Sequence, residues 1–234
     1  IDGGNAYIYA NLYHSTLNYQ LQLVKYDVTT STIIYNKNYG GNAIESTGYT
    51  SNYNKTMAIA NNTVYLGAAT TSNNFPVTDA SSLSGAYDHL YMKINATTGD
   101  IDFATYYGGA SGVNNWGNLD LKLDNTGVYL LGITDENDLP VTDGSTFKGN
   151  TDFYLRKYNI NTNNLEYLKY FGTPQIEYSA KIEIQNGILY LLGELSSSTG
   201  FPHTNTNNAS YSGIEHVFYT KMNPNTGNVI YSTW

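Results

Sequence analysis

The sequence predicts an all-β fold, a β-propeller built from four-stranded antiparallel blades. Three observations predict it. Four segments with one pattern recur along the chain, Ala6-Tyr7-Ile8-Tyr9-Ala10, Val64-Tyr65-Leu66-Gly67-Ala68, Val128-Tyr129-Leu130-Leu131-Gly132 and Leu189-Tyr190-Leu191-Leu192-Gly193, at intervals of 58, 64 and 61 residues. Between them lie short β-branched and aromatic runs punctuated by Asn, Asp, Thr and Gly, which is hairpin chemistry. No 3.6-residue apolar periodicity competes with them, and consecutive four-stranded units of about 60 residues are how propeller blades read in sequence.

The elements of a unit follow in order. The recurring segment is rich in β-formers and closes on a small residue. A loop comes next, with an apolar residue before proline at Phe75-Pro76, Leu139-Pro140 and Phe201-Pro202. The following strand ends in lysine: Leu23-Val24-Lys25, Tyr91-Met92-Lys93, Leu155-Arg156-Lys157 and Tyr219-Thr220-Lys221. A turn such as Asn95-Ala96-Thr97-Thr98-Gly99 or Asn223-Pro224-Asn225-Thr226-Gly227 leads to a further strand closing at Tyr39-Gly40-Gly41, Tyr107-Gly108-Gly109 and Phe171-Gly172-Thr173. The next unit opens on a strand of clean period-2 alternation, Leu119, Leu121 and Leu123 against Asp120, Lys122 and Asp124, and Ile182 and Ile184 against Lys181 and Glu183. These boundaries give blades at 1–41, 42–109, 110–173 and 174–234. The first lacks its opening strand and its Phe-Pro loop, so the four units are expected either to form a small ring closed by a strand from elsewhere or to be an arc of a larger one, because an unpaired edge is a template for pairing.

The 234 residues suffice to bury a core without metal or disulfide, and the chain has no cysteine. Eleven basic against 19 acidic side chains, a formal charge of -8, deny the surface the positive field that nucleic-acid binders use. No apolar run approaches the roughly 20 residues of a membrane span, and the first residues carry no signal-peptide pattern. Only 13% of residues are charged, against 24 tyrosines and 30 asparagines. A surface of uncharged polar groups on a body of β-formers suits an extracellular or cell-surface location.

The residues resemble the bacterial SBBP repeat family of β-propeller blades. The resemblance rests on Val128 to Thr134, Phe75-Pro76, Asp152-Phe153-Tyr154-Leu155-Arg156-Lys157, Asn223 to Gly227, and Ile230-Tyr231-Ser232-Thr233-Trp234, and covers nearly the whole chain. Gly172-Thr173 stands where a double glycine belongs, and Gly67-Ala68 displaces the expected glycine of the second copy. The resemblance implies a secreted scaffold or adhesive module and no catalytic residue. Protein neighbours, including self-assembly by strand complementation, are the partners that the missing first strand suggests.

Several residues are candidates for chemistry. The recurring Lys25, Lys93, Lys157 and Lys221 form either a cationic ring or, more simply, contacts within each blade, with their stems packed on aromatics. The double glycines lack a phosphate-loop context and suit positive φ or close backbone approach. Asp135, Asn137, Asp138 and Asp143 make an oxygen-rich loop compatible with Ca²⁺ as a cofactor; a solvated turn is the plainer reading. His14, His89, His203 and His216 occupy unrelated registers, and no catalytic motif accompanies them. Tyr49, Tyr53, Tyr87, Tyr178 and Tyr211 fall in or beside polar loops and would make contact surfaces for proteins or sugar rings. N-x-[ST] sequons at Asn54, Asn61, Asn95 and Asn208 are glycosylation candidates.

The expected function is a non-enzymatic extracellular structural or interaction module of an adhesin, surface layer or filament. A carbohydrate-binding propeller is the alternative. A propeller glycoside hydrolase is the second alternative and requires two converging carboxyl groups.

Overall fold

The computed structural model describes residues 3–16, 18–47, 56–111, 118–197, 199–204 and 216–234. All regular elements among them are strands, and no helix is long and apolar enough to cross a membrane. The chain forms two compact units, Ile1–Ala110 and Ser111–Trp234, each holding two antiparallel sheets.

In the first unit, β1 (Asn5–His14), β2 (Asn18–Asp27) and β3 (Thr32–Tyr39) form a three-stranded sheet in chain order, with β1 at its edge. The second sheet contains β4 (Glu45–Ser46), β5 (Met57–Ala60), β6 (Thr63–Thr70), β7 (Asp88–Asn95) and β8 (Ile101–Tyr107). β4 and β5 pair with different stretches of β6.

The second unit repeats the plan. Its sheets are β9 (Asn118–Leu123), β10 (Gly127–Thr134), β11 (Asp152–Asn159) and β12 (Leu165–Phe171), then β13 (Glu177–Gln185), β14 (Ile188–Leu195), β15 (His216–Met222) and β16 (Val229–Thr233), each in simple up-and-down order.

The turns explain why strands end where they do. Asp27 accepts the backbone N–H groups of Thr29 and Thr30, Asn95 those of Thr97 and Thr98, and Asn159 those of Asn161 and Thr162. Each is a side chain mimicking a backbone turn. Gly99 and Gly227 close such turns at φ of 74° and 63°, where a side chain would be strained. Just before the turn each sheet shifts register, between Lys25 and Tyr26, Lys93 and Ile94, Lys157 and Tyr158, and Lys221 and Met222. The repeated lysine therefore marks a β-bulge, which increases the local twist of each sheet.

One apolar core fills each unit. In the first, Leu21, Leu23 and Tyr39 of one sheet meet Val64, Leu66, Leu90 and Met92 of the other. In the second, Tyr129, Leu131, Phe153 and Leu155 meet Ile182, Leu189, Leu191 and Phe218, with Phe201 ring against ring on Phe218. Strand β10 is buried along its whole length, as its unbroken apolar sequence predicts for a strand covered on both faces.

Candidate functional site

The charged residues that recur in every repeat are taken up by the blades themselves. The ammonium of Lys25 lies 5.5 Å from the ring centre of Tyr7, that of Lys93 5.8 Å from Tyr65, and that of Lys157 5.3 Å from Tyr129. In each case the tyrosine is the lysine's cross-strand partner. Lys221 lies 5.9 Å from both Tyr219 and Tyr231. The lysines also reach acceptors. Lys25 donates to the Ala96 carbonyl at 2.8 Å, in the turn of the next sheet, and Lys157 pairs with Glu166 at 2.8 Å. Burial holds the Lys93 ammonium below its ordinary pKa, opposed by Asp102.

The proline loops are held by a second repeated device. Tyr106 accepts the N–H of Phe75 at 2.8 Å and donates to the carbonyl of Ser72 at 2.7 Å; Tyr170 does the same with Leu139 and Glu136 at the same distances. Two residues after each proline, Thr78, Thr142 and Thr204 exchange backbone and hydroxyl hydrogen bonds with Ala104, Leu168 and Ser232. In the fourth sheet Trp234 takes the register of the clamping tyrosine, its ring 4.0 Å from that of His203.

The acidic loop of the third repeat does not gather its carboxylates. Asp143 caps the Ser145 N–H at 3.1 Å and pairs with Lys169 at 3.0 Å. Burial opposes its ionisation, yet these partners hold its carboxyl below the ordinary value. Asp138 accepts the Ser111 hydroxyl at 2.6 Å, and the backbone N–H of Asn137 donates to that same hydroxyl. Asp135 is half-buried beside the buried Glu136. Among the described residues no group of three or more His, Cys, Asp or Glu side chains is placed to hold a metal ion. Asn137 and Asp138 are both exposed.

Of the tyrosines expected on loops, Tyr87 is 2% exposed and set edge-on to His89, so it offers no contact surface; Tyr178 is 49% exposed. Tyr87 precedes a strand whose other residues are mostly buried on both faces, and that burial extends to it. Tyr49, Tyr53 and Tyr211 lie outside the described residues, as do Asn54 and Asn208. Asn61 is exposed at a positive-φ turn, while the side chain of Asn95 is engaged in its own turn. The double glycine at Gly40-Gly41 serves close approach. A Cβ on Gly40 would stand 1.9 Å from the side-chain amide oxygen of Gln20, and one on Gly41 2.5 Å from the side chains of Asn74 and Ser72.

Buried acids, unremarked in the sequence, sit at the start of two repeats. Glu45, fully buried, accepts from Gln20 at 2.9 Å, from Thr70 at 3.1 Å, from the Gly41 N–H and from Ser72. Five residues beyond Gly172, as Glu45 is five beyond Gly40, Glu177 accepts the N–H and hydroxyl of Thr173, both at 2.7 Å. Asp152 accepts the Lys148 N–H at 3.0 Å. Asp152 and Glu177 converge on Gly172, where a Cβ would stand 2.8 Å from one carboxyl carbon and 3.2 Å from the other. One oxygen of each, Asp152 Oδ1 and Glu177 Oε2, has no hydrogen-bond partner. Burial pushes Asp152 up to about 7 and Glu177, with Asp152 beside it, up to about 8. Two close carboxyls are the geometry the hydrolase alternative asks for, but both side chains are sealed from solvent and no sugar ring reaches them. What they can do is share a proton. The signal was present in sequence as Ile44-Glu45 and Ile176-Glu177, each at a fixed distance from the strand-ending glycine.

The remaining feature is apolar and exposed. Ile8 and Ile33 of the first sheet are 56% and 61% exposed, and Leu192 and Val217 of the fourth 54% and 62%. Each pair lies on one face of its sheet.

No family model matches this chain, and no curated protein sequence matches it. Among solved structures, a europium-containing methanol dehydrogenase is similar over 99% of this chain and 40% of its own, with 10% identity and a TM-score of 0.56. The quinohemoprotein alcohol dehydrogenase of Comamonas testosteroni is similar over 98% and 33%, with 11% identity and a TM-score of 0.52. BamB of Moraxella catarrhalis is covered to 50%, with 10% identity and a TM-score of 0.47. The chain thus spans half or less of the length of each. The likeness to the two dehydrogenases is one of fold, and the sheets here are of the β-propeller kind.

Proposed function

We propose that this chain is a non-enzymatic structural or interaction module of an extracellular or cell-surface protein, of the kind SBBP-type blades build in an adhesin, a surface layer or a filament subunit. One observation carries the reading: the chemistry-bearing residues of each repeat are consumed by the blade, whereas apolar side chains stand exposed in rows on sheet faces. Lys157 is spent on Glu166 and Tyr129, and Tyr170 on the Leu139 loop. Leu192 and Val217 face outward. Exposed contiguous apolar surface rimmed by polar groups is contact surface for another protein. The low charge and the abundance of Asn and Tyr support an extracellular setting.

Immunogold labelling of intact cells, with negative-stain imaging of the labelled structures, tests this. Label on the exterior, on a fibre, lattice or other assembled particle, is the expected result. Label confined to the cell interior, specific retention on a glycan array, or turnover of glycosides by the purified protein would each overturn it.

A further inference from the structure

The third and fourth sheets pack by a fixed rule. The third sheet presents Tyr129, Leu131, Phe153 and Leu155, all buried, to the fourth, and the fourth answers with Leu189, Leu191 and Phe218 from its opposite face. Strand pairing fixes which residues share each face. In the third sheet Leu131 lies beside Leu155 and Tyr129 beside Lys157; in the fourth Leu192 lies beside Tyr219 and Tyr190 beside Lys221. The fourth sheet therefore carries Tyr190, Leu192, Val217 and Tyr219 at the registers of Tyr129, Leu131, Phe153 and Leu155. It repeats the face that makes the core one sheet earlier, and there that face is open.

The first sheet carries the answering face. Ile8 pairs with Val24, Ala6 with Tyr26, and Tyr26 in turn with Ile33. In the fourth sheet Leu191 pairs with Thr220, Leu189 with Met222, and Met222 with Val229. Ala6, Ile8, Val24 and Ile33 thus occupy the registers of Leu189, Leu191, Thr220 and Val229, the side that receives a preceding sheet. Ile8 and Ile33 are open as well.

We infer that the open face of the fourth sheet is a docking surface for the first sheet of a second copy of this chain, continuing the packing of the third sheet on the fourth. This rests on the reading of the chain as an interaction module and names its partner. The contact is heterologous, unlike face against unlike face, so copies joined by it form a closed ring or an open row according to the rotation between them. The second copy's edge strand β1 comes with that sheet.

Sedimentation velocity over a range of concentrations, with variants at both faces, tests the inference. The wild-type chain is expected to associate, and Val217→Glu and Ile8→Lys each to weaken association by roughly a hundredfold, since each puts a charge in the middle of one face. Both positions are exposed, so circular dichroism should show both variants folded. Mixing the two variants is the decisive arm. Each retains the face the other lacks, and a one-to-one dimer is expected from the mixture where neither variant dimerises alone. A wild-type chain that stays monomeric throughout, or single variants that still dimerise alone through like faces, would overturn the inference. Neither result would touch the extracellular structural reading, which labelling decides independently.

Discussion

Gln20 donates its side-chain amide to Glu45 across 2.9 Å, and the same register of the second unit holds Asp152 against Glu177, an acid where the amide stands. A carboxylate pair sealed from water resists carrying both charges, so burial favours a proton kept on one of the two, at the place where Gln20 puts an amide in the first unit. The ordinary values of 3.8 and 4.5 become about 7 and about 8 in the folded chain. Between those limits the folded state binds more protons than the unfolded one. The stability the pair contributes is complete below the unfolded values and is lost as pH rises through 7 to 8. Asp152→Asn installs the missing amide donor. Thermal melts across this range should show the wild type losing several degrees that the variant keeps. Equal pH slopes in the two proteins would contradict the shared proton. The comparison is between wild type and variant because burial also raises the carboxyl of Glu45, against hydrogen bonds from Ser72, Gly41 and Thr70.

Gly40 and Gly172 are expected to resist substitution for want of space. Neither has a positive φ. A Cβ on Gly172 would stand 2.7 Å from Asp152 Oδ1, and one on Gly40 1.9 Å from Gln20. Gly172→Ala should cost about 1–3 kcal/mol through overpacking, seen as a lower urea midpoint at unchanged slope. At Gly187, where nothing lies within 4 Å but φ is 70°, alanine should cost about 1 kcal/mol from backbone strain alone.

The strand plan was legible because its cues are local. The Asn95 and Asn159 turns and the alternation of Ile182 and Ile184 against Lys181 and Glu183 lie within a few residues of what they specify, and the recurrence of the Val64 pattern at Val128 then repeats the plan. The pairing of β4 and β5 with two different stretches of β6 was not legible, since it depends on cross-strand contacts that neither short segment specifies by itself. The pairing of Asp152 with Glu177 was hidden for a different reason. The two lie 25 residues apart and meet only where one sheet hands over to the next, and in sequence Asp152 reads only as the first residue of the strand motif that ends at Lys157. Tyr87 misled in the opposite direction, polar neighbours in sequence concealing a buried ring.

The tyrosine clamps should be worth more than their single hydroxyls suggest. Tyr170→Phe removes an oxygen that accepts from Leu139 and donates to Glu136, and leaves a buried N–H and a buried carbonyl unpaired at once. The expected loss is about 2–4 kcal/mol for two groups of this kind. Tyr106→Phe should lose a similar amount in the first unit. Hydrogen exchange at the Leu139 and Phe75 amides reports the local effect. Protection unchanged at these two amides would show that the loops are held by their apolar packing and not by the clamps.

Lys157 separates charge from packing. Its side chain is 2% exposed and its partner Glu166 is 32% exposed, so removing the ammonium leaves the carboxylate with access to water. Its stem and ammonium lie against the ring of Tyr129, and Gly127 sits so close that a Cβ there would stand 2.3 Å from the stem. Lys157→Met keeps the stem and drops the charge. Because the desolvation of a buried ammonium offsets most of what its ion pair returns, this change should move stability by no more than about 1 kcal/mol in either direction. Lys157→Ala drops the stem as well and opens a cavity beside Tyr129, at a cost of about 2–4 kcal/mol. Urea unfolding of the two variants side by side reads the difference directly. If methionine proves as damaging as alanine, the ammonium over Tyr129 and beside Glu166 holds the bulge; if methionine is tolerated, the repeated lysine is there for its four methylenes.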